Sequence, residues 1–169
     1  MMFVAAALRR RLGRDVEVRR IQYRLRGWNS PRRDALADTS KVLDEMLRRF
    51  DPKDVVLVGH SMGARVAAWL AADARVGAVV ALAPWWQGDV ADRISPPTRL
   101  LVLHGTTDTV TDPVASRLQT VRADERGLDA HWIGITGVGH HMVRRWPEWH
   151  RRTTGFVAEY LNAGNEQRS

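Results

Sequence analysis

A serine stands between two glycines at residues 59–63, which read Gly-His-Ser-Met-Gly. A serine hydroxyl is a weak nucleophile, so it needs a base within hydrogen-bond reach and a turn that exposes it. The apolar run at 55–58 predicts a strand before this serine, and the alanine-rich run at 64–72 predicts a helix after it. A Cβ at either glycine is expected to clash with the neighbouring strand or helix. The amides and the dipole at the start of the predicted helix favour a negatively charged oxygen beside Ser61. The pattern therefore indicates that Ser61 is a nucleophile, with a purely structural turn as the alternative.

An acid and a base follow later in the sequence, each just after an apolar run. Asp108 follows the strand predicted at 99–103, and His140 follows the strand predicted at 129–135. Because parallel strands place their functional groups at their carboxyl ends, we expect both side chains to lie near Ser61. His140 would accept the serine proton and Asp108 would hold the imidazole in the required tautomer.

Each of these two assignments has an alternative. Asp108 could cap the helix predicted from residue 113, but Asp112 fits that role better because it directly precedes Pro113. His141 is the alternative base to its neighbour His140. The other histidines lie outside this constellation: His104, His131 and His150.

Strand and helix patterns alternate along the chain, which predicts an α/β fold with a mainly parallel sheet and helices on both faces. We expect about five strands in this doubly wound arrangement, at 16–25, 54–59, 76–83, 99–103 and 129–135. Helices are predicted at 3–12, 34–50, 63–72, 113–126 and 143–162. The whole chain, 1–169, is expected to form a single domain, and the interval between Ser61 and Asp108 leaves no room for a cap domain.

These motifs resemble the α/β-hydrolase family, in particular its small, lidless, dienelactone-hydrolase-like or carboxylesterase-like members. The resemblance rests on 59–63, on the His-Gly-Thr-Thr-Asp stretch at 104–108 and on Gly139-His140. It implies a Ser61–Asp108–His140 triad that cleaves small carboxylic esters or thioesters through an acyl-enzyme. The backbone amide of Met62 would be one oxyanion donor, and no metal or organic cofactor is implied.

A substrate pocket is expected close to the nucleophile. Trp85 and Trp86 follow the strand predicted at 76–83, and His60 lies inside the turn itself. These three side chains are expected to line an apolar pocket. The alternative for the tryptophans is that they only cover the edge of the sheet.

The N-terminal part departs from the family pattern. Family members have a strand between those predicted at 16–25 and 54–59, and its following loop supplies the second oxyanion amide. The sequence contains no counterpart, so we expect a truncated α/β-hydrolase fold, shortened from a longer protein. The alternative is that the two flanking strands pair directly and the sheet shrinks to five strands. The alternative function is then a weakly active or non-catalytic hydrolase-fold protein that binds a ligand.

Composition adds weaker constraints. The formal net charge is +7, and the arginines that carry it are scattered along the chain. A nucleic-acid or membrane-surface binder needs its charge clustered on one face, so this hypothesis is the least favoured and no nucleic-acid partner is expected. There is no cysteine, and no apolar run is long enough to span a membrane. The chain start lacks the order of a signal peptide, which predicts a cytoplasmic protein. The sequence leaves the oligomeric state open.

Overall fold

The computed structural model describes residues 2–166, which form an α/β fold around a four-stranded, all-parallel sheet. The strands are β1 (Val56–His60), β2 (Ala78–Leu82), β3 (Arg99–Gly105) and β4 (Ala130–Ile135), and they lie side by side in that order. The helices are α1 (Met2–Leu12), α2 (Asp34–Leu47), α3 (Met62–Leu70), α4 (Pro113–Glu125) and α5 (Trp146–Glu166). Short 3₁₀ helices cover Pro52–Asp54, Ala72–Ala74 and Ala91–Arg93. The ends of the expected domain, residue 1 and residues 167–169, lie outside the described part.

The central strands are apolar on both faces because helices cover both faces of the sheet. Every residue of β2 is buried, and alternate residues of β2 and β3 point into two separate cores. One core contains side chains of α2, α3 and α4, and the other contains side chains of α1 and α5. The predicted α/β class, with a parallel sheet and helices on both faces, is confirmed.

The predicted strand at 16–25 is wrong. Residues 17–23 form no strand, so residues 2–166 contain four strands instead of about five. Val18 and Tyr23 nevertheless pack against the two cores. The alternation of apolar and polar residues indicates which side chains face the core. A strand also needs a neighbouring backbone within hydrogen-bond reach.

A cavity of about 570 Å³ separates this extended segment from β1. Residues 15–21 and Tyr23 line one side, and residues 54–63 line the other. In the sheet of the described residues, β1 is hydrogen-bonded to β2 alone, so its second edge borders the cavity. The cavity therefore lies directly beside the turn that carries Ser61.

The helices keep close to their predicted bounds. Asp112 caps α4 as expected, because its carboxylate accepts hydrogen bonds from the amides of Val114 and Ala115 while Pro113 occupies the first turn. Within the described part of the chain, no helix combines the length and the hydropathy that a membrane span needs.

Candidate active site

Ser61 lies on the tight turn between the end of β1 and the start of α3. Its backbone is left-handed in φ, at 54°, with ψ at −116°. Its amide donates to the carbonyl of Leu82 at 2.9 Å, and its carbonyl accepts from the amide of Trp85 at 3.2 Å. The turn is thus attached to the end of β2, the next strand of the sheet.

The two glycines of this turn have different roles. A Cβ on Gly59 would come within 2.3 Å of the backbone of Gly63, which no side chain tolerates. A Cβ on Gly63 would meet only the hydroxyl of Tyr23, at 3.6 Å, which is an ordinary contact. The expected clash therefore exists at Gly59, whereas at Gly63 the expectation was wrong because the neighbouring segment leaves space.

Three side chains meet at the carboxyl ends of β1, β3 and β4. The Ser61 hydroxyl lies 3.0 Å from Nε2 of His140 and can donate a hydrogen bond to it. Nδ1 of His140 lies 2.9 Å from Oδ2 of Asp108 and donates to that oxygen. Both distances are within the range for a nucleophile, its base and the group that orients the base. His141 is exposed, and its ring centroid lies 5.6 Å from that of His140.

Asp108 is held as a carboxylate. Its Oδ1 accepts hydrogen bonds from the amides of Val110 and Thr111, and its Oδ2 accepts one from the hydroxyl of Thr111 at 2.8 Å. Burial acts to raise the pKa of this carboxyl, but the hydrogen bonds from Thr111, His140 and Val110 outweigh it and keep the pKa well below its usual range. A fixed negative charge therefore faces Nδ1 of His140.

A second histidine, His104, lies behind Asp108, although its place in the sequence did not indicate a role in the site. Nε2 of His104 lies 3.1 Å from Oδ2 of Asp108, and its Nδ1 lies 2.8 Å from the hydroxyl of Ser116. Burial lowers the pKa of His104 against the opposing effect of Asp108, so the ring is neutral near pH 7. The sequence signal was its position at the buried end of β3, four residues before the acid.

The oxyanion side of the site is the start of α3. Met62 is the first residue of that helix, and the amides of a first helical turn have no intrahelical partner. Together with the helix dipole, these amides favour negative charge beside Ser61. The predicted donor thus has the expected position in the fold.

The three residues expected to line a pocket do not lie together. His60 lines the cavity beside β1, and its Nε2 donates to the carbonyl of His140 at 2.8 Å. Trp85 is half-buried, with the Arg65 guanidinium 4.7 Å from its ring centroid. Trp86 is buried in the core and donates to the carbonyl of Ala64. The cavity lining contains His60 but neither tryptophan.

The search for a metal site gave a negative result. Among residues 2–166, no group of three or more His, Asp or Glu side chains is placed to hold a metal ion.

The model of a family described as "Alpha/beta hydrolase family" matches residues 1–163. No curated protein matches the chain in sequence.

Among solved structures, SOBER1 of Arabidopsis thaliana is similar at 18% identity, with a TM-score of 0.60 over 76% of this chain and 63% of that one. Esterase PE8 is similar at 23% identity, with a TM-score of 0.62 over 75% and 60% of the two chains. A Thermogutta terrifontis esterase, solved with propionate bound, is similar at 16% identity, with a TM-score of 0.60 over 77% and 65%. At these identities the likeness shows the fold, and the chain spans less than two thirds of each of these structures.

Proposed function

The chain belongs to the alpha/beta hydrolase family, and we propose that it is a serine hydrolase that cleaves small carboxylic esters or thioesters. The observation that carries this proposal is the continuous contact from Ser61 through His140 to Asp108, at 3.0 Å and 2.9 Å. This order of nucleophile, base and orienting acid is the arrangement that activates a serine hydroxyl.

The proposed reaction passes through an acyl-enzyme. Oγ of Ser61 attacks the carbonyl carbon of the substrate while Nε2 of His140 takes the hydroxyl proton. The negative oxygen that forms is stabilised by the amide of Met62. His140 then returns its proton to the leaving alcohol or thiol, and a water molecule activated by the same imidazole releases the acid.

Two further observations support a small ester as the substrate. Esterase PE8 and the propionate-bound esterase share this fold, although at low identity. The cavity beside Ser61 is lined largely by apolar side chains, among them Val58 and Val66, which suits the acyl part of a small ester.

Slow turnover is part of the proposal. Removing one oxyanion donor from a serine hydrolase costs about 10²- to 10³-fold in rate. Met62 is the proposed first donor, and no counterpart of the loop that holds the family's second donor is identified among the residues given. This feature favours the second candidate function, a hydrolase-fold protein that binds a ligand without turning it over.

The test uses a fluorophosphonate probe, which reacts with an activated serine, and p-nitrophenyl acetate as the substrate. The wild type is compared with Ser61→Ala and His140→Ala, and Ser40→Ala on α2 is the matched control. We expect labelling and slow hydrolysis in the wild type and in Ser40→Ala, and neither in the other two variants. Equal background in all four proteins would overturn the enzymatic proposal and favour the binding protein.

A further inference from the structure

Oδ2 of Asp108 is surrounded by three side chains that can donate to it. The hydroxyl of Thr111 lies at 2.8 Å, Nδ1 of His140 at 2.9 Å and Nε2 of His104 at 3.1 Å. The side chains of Asp108 and His104 are both fully buried. A triad needs only the contact with His140, so the function of the second imidazole is unexplained by the reaction above.

The contacts of His104 determine which of its nitrogens carries the proton. The Ser116 oxygen accepts from the indole of Trp132 at 3.0 Å, and its single hydroxyl proton can go to the carbonyl of Pro113 at 3.0 Å or to Nδ1 of His104 at 2.8 Å. Ser116 therefore allows either tautomer of His104, and the buried carboxylate of Asp108 decides between them. Nε2 of the neutral ring then carries the proton and points at Oδ2 of Asp108. The opposite tautomer would place a bare nitrogen lone pair against a buried carboxylate, which is unfavourable.

A continuous chain of hydrogen bonds therefore approaches the acid from behind. It runs from Trp132 through Ser116 and His104 to Asp108, and continues through His140. Nε2 of His104 also lies 3.2 Å from the Thr111 hydroxyl, so its proton is shared between that oxygen and Asp108.

We propose that His104 is a positioning residue for the triad: its Nε2–H engages part of the Asp108 charge and so sets how strongly Asp108 stabilises the imidazolium of His140. This inference rests on the proposed function. Without His104, Asp108 would keep the donors from Val110 and Thr111 but interact more strongly with His140. The protonated, inactive form of the base would then persist to higher pH.

Other charged and titratable groups face these two imidazoles and must stay constant in a test. His60 and His141 lie beside His140, with ring centroids at 5.0 Å and 5.6 Å. Asp112 acts on His104 through space, as does His140. The variants below leave all of them unchanged.

The test compares His104→Leu, which removes the donor, with His104→Gln, which keeps an N–H for Asp108. Ser116→Ala removes the hydrogen-bond partner of Nδ1 of His104. Gln119→Leu is the matched control, because Gln119 is buried on the same helix as Ser116 but bonds to Ala91 and Trp86. Two properties are measured for each protein: the pH dependence of kcat/KM for p-nitrophenyl acetate, and the titration midpoint of His140 by NMR.

In His104→Leu we expect the acidic limb of the kcat/KM profile, and the NMR midpoint, to move up by about half to one pH unit. His104→Gln should remain close to the wild type, and Ser116→Ala should move in the same direction by less. Gln119→Leu should lower the Tm without moving either curve.

Unmoved curves in His104→Leu, with only a loss of Tm like that of Gln119→Leu, would overturn the inference. If the wild type neither turns over ester nor reacts with fluorophosphonate, the proposed function fails. The NMR titration still decides the role of His104 in that case.

Discussion

On one flank of Ser61, which we call the ordered flank, the buried carboxylate of Asp108 accepts five hydrogen bonds from residues of β3 and of the loops after β3 and β4. On the other, which we call the cavity flank, residues 15–21 and Tyr23 face the edge of β1 across a cavity of about 570 Å³. The first flank contains the proposed acid and base, and the second would receive the acyl group and the oxyanion. Proton transfer is therefore better preorganised than substrate binding, and we expect the second flank to limit the rate.

The largest expected effect comes from replacing Asp108, the proposed acid on the ordered flank. Asp108→Asn should lower kcat/KM by about 10³- to 10⁴-fold, because the amide no longer holds His140 in the active tautomer. The measurement is hydrolysis of p-nitrophenyl acetate at pH 7. Asp112→Asn is the control, since asparagine also caps a helix and should leave the rate within about twofold of the wild type. A loss of less than tenfold in Asp108→Asn would contradict this assignment.

Two glycine-to-alanine variants, one on each flank, test whether the flanks differ in packing density. A Cβ on Gly105 would lie 2.0 Å from the carbonyl oxygen of Val138, so Gly105→Ala should lower the free energy of unfolding by about 3 kcal/mol. Gly63→Ala should raise it by about 0.5–1 kcal/mol, because the new Cβ has space and alanine favours a helix. Urea unfolding measures both, and similar losses in the two variants would show that the flanks are packed alike.

Acidification is expected to lower the free energy of unfolding through His60, which lines the cavity. Burial lowers the pKa of His60, and the neighbouring charge of His140 adds to this while the hydrogen bond to the His140 carbonyl opposes it. Its contribution to stability is therefore fully present above the unfolded-state pKa, about 6.5, and is lost as the pH falls towards the lower folded-state value.

The measurement for this prediction is the free energy of unfolding between pH 7.5 and 5. His60→Gln should lose less stability over this interval than the wild type. His131→Gln on β4 is the control: His131 pairs with Asp129, but both side chains are exposed, so the pair contributes little and the variant should stay close to the wild-type curve. Identical slopes in all three proteins would exclude His60 as a source of the acid sensitivity.

The last comparison concerns an added methylene group on each flank. Val18 lines the cavity, so Val18→Leu should stabilise the protein by up to about 0.8 kcal/mol. Val138 is fully buried on the ordered flank, and Val138→Leu should destabilise it by about 1–3 kcal/mol. Thermal unfolding of both variants gives the comparison, and effects of the same sign would refute the contrast between the flanks.

The sequence predicted the ordered flank better than the cavity flank, for a physical reason. Periodicity and turn residues located β1, β3 and β4, and parallel strands necessarily bring their carboxyl ends together. Ser61, Asp108 and His140 could therefore be placed side by side without coordinates. The segment at 16–25 was mispredicted as a strand because alternation records burial and not the presence of a partner backbone.

The contacts that surround the proposed catalytic residues could not be predicted from the sequence. His104 reaches Asp108 because of the direction in which its side chain leaves β3, and its other ring nitrogen contacts Ser116 on α4. Trp86 looked like a pocket residue from its place after β2, but it turns inward and bonds to Ala64. Such choices depend on packing in three dimensions, which spacing along one chain does not encode.

The backbone conformation of Ser61 affects which substitutions at this position would stabilise the protein. A φ of 54° with a ψ of −116° is a conformation that glycine adopts far more easily than serine, and such residues cost on the order of 1–3 kcal/mol. Replacing Ser61 by glycine would relieve that strain while removing the nucleophile. Selection for thermal stability alone would therefore favour loss of the serine, so its retention in a stabilised lineage would itself be a sign of selection for catalysis.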